Sequence, residues 1–62
     1  MTHPEIARDR NGTPIRVGDV VALPWQLGTV LEVGIPRCLI RYPDGAELGA
    51  ANRLITVLEV AA

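Results

Sequence analysis

Three short stretches hold the side chains that could do chemistry. "LPW" (23–25) puts a tryptophan after a proline, "RCLIR" (37–41) sets two arginines four apart, and "YPDG" (42–45) opens a turn with a tyrosine. A tryptophan held in a loop can anchor a partner or stack on a base. Arg37 and Arg41 share one face of an extended strand, with Leu39 between them, where their planar forks could take phosphate or carboxylate. Their structural alternative is snorkelling, or pairing with Glu32 on a neighbouring strand. Tyr42 alternates with Cys38 and Ile40, so its ring is expected in the core and its hydroxyl at the rim. Asp44 is expected to bond its own turn backbone at that rim. The candidate binding residues are therefore Trp25, Arg37, Arg41, Tyr42 and Asp44, with Trp25 first among them.

The remaining inventory argues against catalysis. His3 has no second histidine or clustered thiol near it, so no metal site is expected. Cys38 is the only cysteine, sits in an apolar run, and reads as small core filler that can form no internal disulfide. Asp19 and Asp44 look like turn residues and not a paired acid and base. No glycine loop of a phosphate-cradling type occurs. The expectation is a non-enzyme without a cofactor. All six cations are arginines, set against seven carboxylates, and the net charge of −1 speaks against bare duplex DNA as a partner.

Elements must position these side chains. Residues 1–5 read as a flexible tail and 6–60 as one domain. Asn11-Gly12 predicts a two-residue hairpin of type I′, in which both central residues take positive φ. Pro14 lacks a ladder donor and places that hairpin at an edge. Strands are expected over 20–23, 28–33, 37–42, 46–48 and 54–60, with one 3₁₀ turn over 49–53. Leu54, Val57 and Leu58 recur at helical spacing, but the triplet Ile55-Thr56-Val57 is β-branched and favours a strand. Short strands joined by Gly, Pro and Asp turns must curl to bury their apolar face. The fold class is all-β: a small five-stranded SH3-like barrel with an N-terminal β-hairpin extension and one 3₁₀ turn before the last strand.

"VGDVVAL", "GTVLEV", "LIRYPDGAEL" and "NRLITV" together resemble SH3-like barrels of the Tudor and KOW kind over residues 16–58. That resemblance implies a reader of methylated side chains or an RNA-binding module. The chain departs from both patterns. Cages for methylated cations enclose the charge in several aromatic rings, and Trp25 and Tyr42 cannot build one from a single copy. KOW loops are lysine-rich, and this chain has no lysine.

The leading expectation is a small binding module acting on another protein through the barrel rim or an exposed strand edge. Val and Leu exposed on both faces of "VVAL" and "LITVLEV" would supply the contact surface. The first alternative binds single-stranded RNA or DNA weakly, with Trp25 on a base and Arg37 and Arg41 on phosphate. The second is an enzyme whose site forms between subunits, as in the SH3-like type II dihydrofolate reductases. A homo-oligomer is compatible with all three. No signal peptide or membrane span is read, so the cytoplasm, with no membrane partner, is the expected location.

Overall fold

The computed structural model describes residues 6–59. The expected tail with His3, and the expected end of the last strand at residue 60, lie outside the described residues. Five strands occur in the order β1 (Val20–Ala22), β2 (Leu27–Glu32), β3 (Arg37–Arg41), β4 (Glu47–Ala51) and β5 (Thr56–Glu59), with a 3₁₀ turn over Asn52–Leu54. They form one antiparallel sheet in the spatial order β4-β3-β2-β1-β5. Register shifts interrupt β1–β5 between Val20 and Val21, and β2–β3 between Val30 and Glu32. Such irregularities add local twist and bend, which curls a small sheet over its own apolar face into a barrel-like domain. The expected all-β, SH3-like plan with its single 3₁₀ turn is the observed one.

Alternation produces the core. Along β3, Arg37 and Arg41 are exposed while Cys38 and Ile40 are buried; on β2, Gly28 and Val30 point inward. Val21, Ile55, Leu23 and Ala50 complete the packing from the other strands and loops. "VVAL" therefore faces inward more than expected, since Val21 and Leu23 are buried and Val20 is half-buried. The Cys38 thiol donates to Asn52 Oδ1 at 3.0 Å, and Asn52 Nδ2 donates to the Gly34 carbonyl at 2.8 Å. A buried amide thus ties the 3₁₀ turn to the loop before β3 with its polar atoms satisfied.

Two local expectations are corrected. The fourth strand is longer than 46–48 and runs through Gly49-Ala50-Ala51, which pair with Leu39, Cys38 and Arg37. Pairing with an already ordered β3 overrides the poor β-propensity of glycine and alanine, and the 3₁₀ turn moves to 52–54. At the N-terminus, Gly12 has φ +86 but no described non-glycine residue, Asn11 included, has positive φ, so Asn11-Gly12 is not a type I′ pair. The loop is closed instead from Asp9: its carbonyl accepts Gly12 N–H and its amide donates to the Thr13 carbonyl at 2.8 Å. The Arg8–Pro14 bridge and the Ile15 N–H to Ala7 bond follow, and Ala7 and Ile15 enter the core.

Candidate functional site

Tyr42 stands where β3 leaves the sheet. Pro43 and Asp44 turn the chain, and Gly45 takes φ +91, a left-handed conformation that glycine adopts without a steric penalty. The Gly45 amide donates to the Tyr42 carbonyl at 2.9 Å, and the Tyr42 amide donates to the Ala46 carbonyl at 2.8 Å. Asp44 Oδ1 accepts the Ala46 amide at 2.9 Å, holding the turn from within. The Tyr42 ring is buried, and its hydroxyl accepts the indole N–H of Trp25 at 3.2 Å. Trp25 itself is 55% exposed, so the ring stays wet on one side while its polar atom is committed. Gly28 makes room beneath them: a Cβ there would collide with Ile40 Cγ2 and lie 3.1 Å from the Arg41 carbonyl. Leu27, Gly28, Thr29, Arg41, Tyr42 and Pro43 line a shallow hollow of about 360 Å³ at this end.

Arg41 does not pair with Glu32. Its Nε and Nη2 both donate to Glu47 Oε2, at 3.2 and 2.9 Å, because the β3–β4 register sets Glu47 directly opposite while Glu32 lies across from Leu39. Arg37 sits at the other end of β3, opposite Ala51, about 13 Å away at the usual rise per strand residue. The structure thus gathers Trp25, Arg41, Tyr42 and Asp44 around one end of the barrel and leaves Arg37 at the other. The gathered set is an apolar rim carrying one neutralised cation, with no nucleophile and base in contact. Among the described residues no group of three His, Cys, Asp or Glu could hold a metal.

Asp9 was not among the sequence candidates, yet it organises the most connected polar contact. Oδ1 accepts the amides of Asn11 and Thr13, and Oδ2 accepts that of Val57 on β5, each at 2.8 Å. Burial works to raise its pKa, but the N–H groups of Val57, Thr13, Asn11 and Gly12 outweigh that and hold it below the ordinary carboxylate value. The available signal was an Asx residue two and four positions ahead of amides in a turn. Next to it, the Arg10 amide donates to the Ile55 carbonyl at 2.9 Å. The outer side of β5 is therefore partly occupied by the N-terminal segment. Along β4 no loop bonds to the outer backbone among the described residues, and Leu48 is 60% exposed although it shares a face with buried Ala50.

A family model described as "Mechanosensitive ion channel, beta-domain" matches residues 11–61, taking in every strand and the 3₁₀ turn. No curated protein and no solved structure matches the chain. The match overturns the functional expectations. A soluble module that captures a separate protein, a Tudor- or KOW-type single-strand binder, and an inter-subunit enzyme like the type II reductases are all withdrawn in favour of a domain of membrane channels. The cytoplasmic location and the exclusion of the membrane fall with them, while a non-enzymatic role agrees with a channel domain. The reason is physical: inward alternation, Asp-Gly turns and a closing 3₁₀ turn are what any small curled sheet requires, so they report the barrel and not its owner. Among the described residues no helix is long and apolar enough to cross a membrane.

Proposed function

Because the chain belongs to the mechanosensitive ion channel β-domain family, we propose that it is a non-enzymatic structural β-domain of a membrane-associated channel assembly, in which copies of the domain lie side by side. The observation that supports this reading is the uncovered β4 edge. Among the described residues no loop pairs its outer backbone groups, and Leu48 leaves apolar surface beside it. An edge of this kind is a template for another strand, and natural sheets usually blunt it with charge, proline or a covering segment. Here β5 has such a cover, from Asp9 and Arg10, and among the described residues β4 has none. The contact joins identical domains within one assembly, which separates it from the withdrawn capture of a foreign partner.

Light scattering and chemical cross-linking of the purified chain test the reading, with Leu48→Lys as the variant. Wild type should form defined multimers, and Leu48→Lys should shift it to monomer with an unchanged circular dichroism spectrum. A wild-type chain that stays monomeric at every concentration, or a variant that assembles equally well, removes the proposal.

A further inference from the structure

A second concavity lies away from the aromatic rim, where the N-terminal segment, the loop before β3 and the end of β4 meet. It is an open groove of about 440 Å³ with Ile6, Ile35, Pro36 and Ala51 among its apolar walls and Arg8 and Arg53 at its sides. Ile6 is 57% and Ile35 51% exposed, so large aliphatic side chains stand in water in a groove that two arginines also line. Among the described residues no carboxylate lines the groove. Asp9 adjoins Arg8 in sequence, but its oxygens are taken by backbone amides. Among the described residues the only ion pair is Arg41–Glu47, on another part of the sheet, so neither groove arginine is neutralised by a described carboxylate. Arg8 spends one N–H on the Gly12 carbonyl, at 2.8 Å, and a guanidinium has five.

From this we infer that the groove holds the head of an anionic phospholipid, with the phosphate between Arg8 and Arg53 and the first part of an acyl chain against Ile6 and Ile35. An apolar floor flanked by arginines that no described carboxylate pairs complements an amphiphilic anion on both counts, since guanidinium matches phosphate oxygens and the aliphatic walls match hydrocarbon. Neutral apolar ligands would leave the charges unused, and a free phosphate would leave the isoleucines in water. The inference rests on the membrane association of the proposed function, because only there is such a lipid at hand. It also runs against the net charge of −1, which by itself would repel the chain from an anionic bilayer. Recruitment would therefore report a local site.

The experiment is co-sedimentation of the full chain with vesicles of phosphatidylcholine alone or mixed with phosphatidylglycerol, at low and high salt. Binding is expected only to the mixed vesicles, and to weaken with salt. Arg53→Gln should reduce partitioning about fivefold and the Arg8→Gln/Arg53→Gln pair more strongly, near the worth of one basic residue each at a charged surface. Arg16→Gln carries the same charge change outside the groove and should match wild type. Thermal melts establish that each variant is folded, and Arg53→Gln alone decides the matter if the double variant is not. Equal binding to both vesicles, no loss in Arg53→Gln, or an equal loss in Arg16→Gln overturns the inference. So does an NMR titration in which inorganic phosphate shifts the groove amides while vesicles recruit nothing. A monomer that still binds these vesicles sinks the assembly reading and keeps this one; a multimer that ignores them does the reverse.

Discussion

Replacing Asp9 with alanine removes three hydrogen bonds at once, and their environments set the size of the loss. The Val57 amide is half-buried on β5 and donates to Asp9 Oδ2, so orphaning it should cost about 1.5–3 kcal/mol, the range for a bond to a charged group. The Asn11 and Thr13 amides lie in a more exposed turn and regain water, so together they resemble a lost cap, about 0.5–2 kcal/mol. The sum is about 2–5 kcal/mol, which in a domain of this size lowers the melting temperature by at least about 8 °C. Asp9→Asn keeps one acceptor for the turn but sets an NH₂ or a shared oxygen against Val57, so it should lose about half as much. The pH dependence carries the sign. Because the folded carboxyl has the lower pKa, its stabilisation is complete above the ordinary carboxylate value, near 4, and disappears as pH falls through the lowered folded value. Melts followed by circular dichroism between neutral and acid pH should show that decline in wild type and a shallower one in Asp9→Asn. An Asp9→Ala chain within about 0.5 kcal/mol of wild type at neutral pH would refute the argument, since that is what an uninvolved surface residue gives.

The aromatic pair makes a second test: Tyr42→Phe removes only the hydroxyl that Trp25 bonds and should cost at most about 1 kcal/mol, whereas Tyr42→Ala opens the thin core and should cost at least about 3 kcal/mol by denaturant unfolding. Trp25→Ala should cost no more than about 1 kcal/mol, and in the Tyr42→Phe background almost nothing further from the shared bond, which a double-mutant cycle reads directly. Gly28→Ala drives a methyl into Ile40 and should destabilise by about 1–3 kcal/mol; a neutral result would show that the β2–β3 packing gives way more easily than its geometry implies.

How much of this was legible differs from residue to residue. The burial of Cys38, Ile40 and Tyr42 follows from period-two alternation, and the Gly45 conformation follows from Pro-Asp-Gly, so both could be read locally. Arg41 and Glu47 sit across one hairpin whose turn begins at Tyr42, and counting outward from that turn pairs them; the expectation of Glu32 ignored the second neighbour strand. Gly49-Ala50-Ala51 could not be read as a strand, because their own propensities oppose it and only β3 imposes it. The Asp9–Val57 bond spans a separation of 48 residues, and the groove walls come from three separate segments, so no window of sequence contains either. At the candidate rim, Trp25 and Tyr42 lie 17 positions apart, so the bond between them exists only because the barrel brings the two segments together.

The clasp from Asp9 to β5 also bears on the order of events while the chain is being made. Synthesis proceeds from the N-terminus, so the Asp9 turn can close early on its own Asn11 and Thr13 amides, but its third partner does not yet exist. β1 waits too, since its outer neighbour is β5 and its pairs reach from Val20 to Glu59. Until about the last strand has left the ribosome, β2, β3 and β4 can zip as successive hairpins while β1 and the N-terminal segment remain without their final neighbour. A nascent chain halted just short of Val57 should therefore hold the meander and lack both the fifth strand and the Asp9 clasp. A few residues more would let Asp9 and Arg10 lock both ends of the described chain together.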